Sequence, residues 1–366
     1  MEARAWLEAH VPDERPPHEG PAAREFALAW QRTQARSGWA GLSWPEEVGG
    51  RGLSIHEQIV WFEECARASA PSPLGPSFVG LNHAGPTLIA CGTAEQKAFH
   101  LPKVLTGEVL WCQGFSEPGA GSDLASLKTR GQVEGDVLVI DGQKLWSSYA
   151  DIADWQELLI RTDPTARTSA ALSWICLPMN AEGITVRPIR TMAGPSTFCE
   201  VFYDSVGVPL SHVVGGLNNG WATAMSTLSF ERGTATLSLL IDRVRQVARL
   251  LTDCSATRPL MRATLANLLA EGHSILAMTY RFALESPDAA RGSVGSLIRL
   301  SFAEFAQRVT AAAIQLYGIA APQVVGDHGW GYDYLHSFSE TIAGGAAEIQ
   351  RNIIAERVLG LPKEPR

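Results

Sequence analysis

Trp111-Cys-Gln-Gly-Phe-Ser-Glu-Pro-Gly-Ala-Gly-Ser-Asp123 is followed, after a run of strand-like alternation, by Gly142-Gln-Lys-Leu-Trp-Ser-Ser148. Together these two segments carry the parts of a flavin site. Phe115 and Trp146 offer flat apolar surface for an isoalloxazine ring, Ser116 and Ser148 offer hydroxyls for its polar edge, and Gly119 and Gly121 let a turn approach a phosphate closely. As plain structure, Glu117 to Gly121 is a turn-rich loop, because Pro and Gly punctuate any β-domain. That reading explains the glycines and leaves the aromatic residues and the serines unexplained. Trp146 as a core aromatic and Ser148 as a strand-end cap stay open as alternatives.

Outward from these segments, the chain has 366 residues, 46% of them hydrophobic, which is enough for two or three sub-domains around a large buried core. Its 6 cysteines include no Cys-x-x-Cys pair, which argues against a zinc site or a disulfide framework and suits a reducing cytoplasm. No metal is expected. A formal charge of -8 and the lack of a Lys/Arg run make nucleic acid and anionic membrane poor partners. Met1-Glu-Ala-Arg-Ala-Trp-Leu7 has no charged-then-apolar signal, and no apolar run approaches ~18 residues, so a soluble, unprocessed, cytoplasmic protein is expected.

Residues 1–109 read as an N-terminal helical domain. Glu25 to Ser37 and Ser54 to Ala68 show helical spacing, with Ile55, Ile59, Phe62 and Cys65/Ala66 on one face of the second and Ser54 as its cap. Further helices are expected near Pro86 to Cys91 and from Ala94 to Leu105. Residues 110–213 change to period two: Gln132 to Asp141 reads as a hairpin turning at Gly135-Asp136, with strands at Glu157 to Thr162, Ala171 to Leu177 and Gly183 to Pro188. In 214–366 the helical pattern returns, with candidates at Ala222 to Cys254, Leu260 to Leu284, Val294 to Tyr317 and Ala347 to Leu359; Ser286 to Ser293 and Gly318 to Asp333 separate them.

The two central segments, Gly38 to Leu53 at the front and Glu348-Ile-Gln-Arg-Asn-Ile-Ile-Ala-Glu-Arg-Val-Leu-Gly-Leu-Pro362 at the end resemble the acyl-CoA dehydrogenase family over nearly the whole chain. The resemblance is strongest to bacterial, including actinobacterial, members acting on bulky or branched acyl thioesters. It implies a mainly α fold with a central β-domain: an N-terminal helical domain, a middle β-barrel-like domain and a C-terminal four-helix bundle. It also implies non-covalent FAD, with N5 facing the substrate β-carbon, Ser148 bonded near that atom, Trp146 against the ring and Gln113 to Ser116 on the pyrimidine side. Ser122 is implied near phosphate or the thioester entrance. Gln315-Leu-Tyr-Gly318 and the Glu348 region resemble the parts that reach FAD across a subunit boundary.

Removing two hydrogens across an acyl Cα–Cβ bond needs a base for the α-proton, a hydride acceptor and donors on the thioester carbonyl. Many family members carry the base as a Glu just before the C-terminal Glu-Ile-Gln-Arg helix; here Gly344 stands there and Ala343 precedes it. Glycine cannot take a proton, although its N–H can still polarise the carbonyl. A second group of members carries the base as the Glu of a Glu-Arg pair on the helix after the β-domain, and this chain has Phe230-Glu-Arg-Gly233 there. Glu231 is therefore the expected base, at the edge of a face formed by Met225, Leu228, Arg232, Ala235 and Leu239. Arg232 is expected to hold the base helix or a nearby carboxylate, next to the substrate. The bland alternative makes Glu231 a solvated helix residue.

Some family features are absent. Ala346 replaces a threonine that commonly contacts FAD, no Arg-x-x-Phe-Gly segment occurs in Arg243 to Arg262, and Ile319 stands where a second Gly is usual. The leading expectation is an FAD-dependent acyl-CoA dehydrogenase, working as a homo-oligomer or with a related chain and passing electrons to an electron-transfer flavoprotein. One alternative is a flavin oxidase or acyl-carrier-protein tailoring enzyme on this scaffold; another is a non-catalytic subunit of a hetero-oligomer.

Overall fold

In a computed structural model describing residues 2–166, 169–231, 236–285, 293–318, 320 and 329–363, five α-helices precede the sheet: α1 (Glu2–His10), α2 (Gly20–Arg36), α3 (Ile55–Ala68), α4 (Gly85–Cys91) and α5 (Ala94–Leu105). Ser54 caps α3 through a reciprocal box: its hydroxyl accepts from Glu57 N (3.4 Å) and the Glu57 carboxylate accepts from Ser54 N (2.8 Å). The buried face of α3 is Ile59, Phe62, Cys65 and Ala66 together with Trp61, close to the face its spacing predicts. Ahead of α4, Gly80–Ala84 forms a π-helical turn, a widening that leaves no periodic mark in the sequence. A side chain at Gly85 would lie 2.0 Å from the Trp44 ring, so only glycine lets α4 approach that indole.

Eight strands follow: β1 (Trp111–Gly114), β2 (Arg130–Glu134), β3 (Val137–Ser148), β4 (Trp155–Arg161), β5 (Leu172–Pro178), β6 (Ile184–Ile189), β7 (Phe198–Pro209) and β8 (Val213–Val214). Their order is β6-β7-β3-β2-β4-β5-β8, with β1 added on β4. The hairpin turns at Gly135-Asp136 as expected. β2 and β4 share one residue pair, Arg130 with Arg161. The barrel-like expectation thus takes the form of two lobes over one core, with Leu138, Ile140, Val201 and Val206 from one lobe meeting Leu158, Ile160, Ile175 and Leu177 from the other.

The C-terminal helices are α6 (Gly220–Glu231), α7 (Thr236–Asp253), α8 (Pro259–Glu285), α9 (Ser293–Tyr317), α10 (Gly329–Glu340) and α11 (Ala347–Ile353), the last continued by a π-helical turn at Ile354–Val358. The long candidate at Ala222 to Cys254 is helical as α6 and α7, and residues 232–235 between them lie outside the described residues. α7, α8, α9 and α10 pack in sequence into the bundle, and Leu240, Val247, Leu265, Phe305 and Trp330 share a core with Leu7, Trp39 and Phe62 of the N-terminal part. α10 begins inside the segment read as a separator, because the glycines at its start mask its pattern. α6 stands apart from the bundle and packs on β5 and α4. No helix among the described residues is long and apolar enough to cross a membrane.

Candidate active site

The two decisive segments lie side by side. Glu117 and Ala120 exchange backbone hydrogen bonds (3.0 and 3.1 Å) that close the Glu-Pro-Gly-Ala turn, and Leu145 N donates to Ser116 O (2.9 Å) to tie the first segment to the second. Beneath them Lys144, fully buried, donates from Nζ to Phe115 O and to Glu117 Oε1, both at 2.9 Å. Glu117 also accepts from the backbone N–H of Lys128 (2.7 Å) and Thr129 (2.8 Å). Burial pulls the Lys144 ammonium down to about 8 despite its partner; burial acts to raise the Glu117 carboxyl, but Lys144 and the Thr129 and Lys128 donors outweigh it and hold it below the usual range.

β3 bulges between Lys144 and Ser147, and at that bulge Trp146 takes φ +64°. A Trp in the left-handed region is costly, and this one is 56% exposed, touching the edge of Phe198 at a centroid distance of 6.0 Å. The core-aromatic alternative for Trp146 therefore does not hold. Ser116 and Ser148 are half-buried beside it, and Ser122 is exposed on the turn. Phe115 is a correction: its ring is 4% exposed among Trp44, Trp111 and Leu127, so it offers no free face, and its carbonyl accepts from Lys144. The Gln113 side chain turns inward, donating to Glu157 Oε1 (2.8 Å) and lying 3.3 Å from His83 Nδ1, which is itself 3.1 Å from that oxygen. A carboxyl as buried as Glu157 must be hydrogen-bonded, and it claims the Gln113 amide, which leaves the main chain of Gln113 for the pyrimidine side.

These residues fit a flavin. An added Cβ at Gly119 or Gly121 meets nothing within 4 Å, and neither has positive φ, so the fold itself does not demand glycine there; close approach of a phosphate would. Trp146, Ser116 and Ser148 would hold the ring, with Ser122 and the two glycines toward phosphate. Cys112 is fully buried and its thiol is pushed far up by burial, which removes it as an attachment point. No group of His, Cys, Asp and Glu among the described residues could hold a metal.

At the other end of the chain, Gly344 and Gly345 take φ +65° and +94° in succession. Gln350, buried at the start of α11, donates from Nε2 to both carbonyls (2.9 and 3.3 Å), and Arg299 donates to Ala343 O (2.8 Å). Residues bearing a side chain are disfavoured at such φ values, so a carboxylate at Gly344 would strain this turn. Ala343 and Glu348 are exposed, the latter in the first turn of α11. Gln315 and Gly318 are exposed at the C-terminal end of α9, and Ile319 lies outside the described residues.

Glu231 ends α6, four residues beyond Thr227; its side chain and the whole of Arg232 lie outside the described residues. The buried face of α6 is Gly220, Thr223, Ala224 and Thr227, and Leu228 of the expected face packs against the same core, whereas Met225 is 38% exposed. Two contacts fix this helix: the Thr227 and Thr87 hydroxyls bond at 2.8 Å, and Gly220 abuts the backbone of Ser173. Lys144, Glu117 and Gln350 were not singled out from sequence. Lys144 had a signal, since it shares the inward parity of Leu138 and Ile140 on β3.

Family models for the acyl-CoA dehydrogenase N-terminal, middle and C-terminal domains match residues 1–108, 112–206 and 218–359. With these matches on this fold, the chain belongs to the acyl-CoA dehydrogenase family, FAD-dependent oxidoreductases. The acyl-CoA dehydrogenase IpdE1 of Mycobacterium tuberculosis is 39% identical over 353 residues, spanning 94% of this chain and 90% of that protein. Among solved structures, the Tcur3481-Tcur3483 steroid ACAD matches with a TM-score of 0.88 at 32% identity, covering 99% of this chain and 96% of that one. The ChsE4-ChsE5 complex from Mycobacterium tuberculosis matches at 0.85 and 30% identity, covering 100% and 96%.

Proposed function

We propose that this enzyme introduces a trans-α,β double bond into a bulky or branched acyl thioester, with Glu231 removing the α-proton. The observation that carries this reading is the paired left-handed turn at Gly344 and Gly345, which leaves no side chain at the alternative base position. The Glu231 carboxylate, on a helix anchored by Thr227 and Gly220, takes the proton, while the Gly344 N–H polarises the thioester carbonyl so that the proton is acidic enough to leave. Bound FAD would supply the acceptor for the β-hydride. Arg232 and Ser122 belong to the substrate side of this reading, and Gln315, Gly318 and Glu348 to contacts with FAD of a second chain. An electron-transfer flavoprotein would reoxidise the enzyme. That two structural neighbours pair two different chains by title supports a related-chain partner as well as a homo-oligomer.

The substrate class follows from the same turn. Ala343 and Gly344 leave one wall without a ring or a carboxylate, and each extra buried methylene gains ~0.8 kcal/mol if it fits the space. The steroid title of one neighbour agrees with a ring-bearing acyl group. A dye-coupled screen of acyl-CoA thioesters, with products identified by mass, tests the reading. Wild type should prefer a ring-bearing or α-branched acyl-CoA over butyryl-CoA by at least ~10-fold in kcat/KM, and Ala343→Tyr should reverse much of that preference. A butyryl-CoA preference unchanged by the tyrosine would remove the substrate assignment, and turnover with oxygen alone would favour an oxidase.

A further inference from the structure

Among the described residues, Lys144 is the only Lys or Arg that is buried, and it sits where β3 otherwise places Leu138 and Ile140. An ammonium in such a place is costly even when paired, and an apolar side chain of similar volume commonly gives a more stable core. Its bonds, however, are distributed in a particular way. One goes to the carbonyl of Phe115, next to Ser116, and one goes to Glu117, which in turn gathers the N–H groups of Lys128 and Thr129 (2.7 and 2.8 Å). Thr129 Oγ1 closes the circuit by donating to Gln143 O (3.1 Å) and accepting from Gln143 N (3.3 Å), directly before Lys144. Every bond of this network has one partner in the two segments assigned to FAD, and the bulge that presents Trp146 begins at Lys144.

We propose that Lys144, with Glu117, is a positioning residue for the cofactor: it holds Ser116 and Trp146 in mutual register without itself touching FAD. This rests on the FAD assignment of those segments. Deleting the ammonium alone leaves Glu117 buried and uncompensated, so Lys144→Met would unfold for an uninformative reason. The double variant Lys144→Met with Glu117→Gln removes both charges and keeps one acceptor oxygen, which serves the Thr129 N–H or the Lys128 N–H but not both.

The measurements are the melting temperature of the apoprotein and the dissociation constant of FAD, with the visible circular dichroism of the bound flavin. The double variant should melt within a few degrees of wild-type apoprotein yet bind FAD at least tenfold more weakly, with altered dichroism. Wild-type affinity and dichroism in a folded double variant would overturn the proposal. Glu117→Gln alone provides the second arm should the double variant not fold, because Lys144, whose ammonium burial already pulls down to about 8, then sheds its proton and leaves no buried charge: weakened FAD supports the role and unchanged FAD rejects it. Failure of wild type to bind FAD at all would instead remove the cofactor assignment itself, so the two failures are distinguishable.

Discussion

At the scale of single residues, the site is marked by side chains that its own fold would not choose. Trp146 pays for a left-handed backbone and gains little burial in return. Trp146→Gly should therefore leave the apoprotein's melting temperature unchanged or raise it by a few degrees, while weakening FAD at least ~10-fold through loss of the ring contact. A fall in apoprotein melting with unchanged FAD affinity would make Trp146 structural. Trp146, Ser116 and Ser148 enter the proposed site from the sequence because type and order single them out. Phe115 and Gln113 were legible only as members of the segment. Where their side chains go depends on tertiary partners: a core containing Trp44 and Trp111 takes the ring, and buried Glu157 takes the amide. No local pattern announces either partner.

At the scale of elements, α6 links the sheet to the proposed base. A Cβ on Gly220 would fall 2.4 Å from the Ser173 backbone, so Gly220→Ala must push the helix off β5. We expect ~1–3 kcal/mol of destabilisation and a larger relative loss in kcat than in FAD affinity, measured by denaturation, turnover and cofactor titration. Equal kcat in a destabilised variant would mean that the seat of α6 does not set the chemistry. The sequence announced the β2–β3 hairpin, β4, β5, β6 and the Ser54 cap of α3, whose signals are local. It did not announce the change of packing partner from the sheet, under α6, to the bundle, around α7, because apolar residues run through both helices. β7 was missed over most of its length, since its alternation is interrupted by exposed Asp204 and Ser205, the latter at φ +53°.

At the scale of the whole molecule, stability and reaction both depend on contacts between distant parts of the chain. His100 joins α5 to the sheet, packed edge-on against Trp111 and Trp155 at 5.1 and 4.6 Å, and burial lowers its pKa from 6.5 to about 4. His212 and His336 are lowered in the same direction by burial. The unfolded chain thus binds these protons more tightly, and stability falls as pH drops from 6.5 toward 4. Between pH 7 and 5 wild type should lose ~1–2 kcal/mol through His100, a loss that His100→Phe should largely abolish in denaturant titrations at the two pH values. An unchanged pH slope would show that His100 is protonated in the folded state. The proposed reaction draws on the same long-range assembly, since the proposed flavin segments, the end of α6 and the turn at Gly344 come from three separate stretches of chain. The most direct test of that account is anaerobic mixing of the FAD-loaded Glu231→Gln protein with a thioester that wild type dehydrogenates, followed by flavin absorbance. Bleaching slower than wild type by ~10³-fold, with FAD still bound, is the predicted result; bleaching at a near wild-type rate would place the base elsewhere.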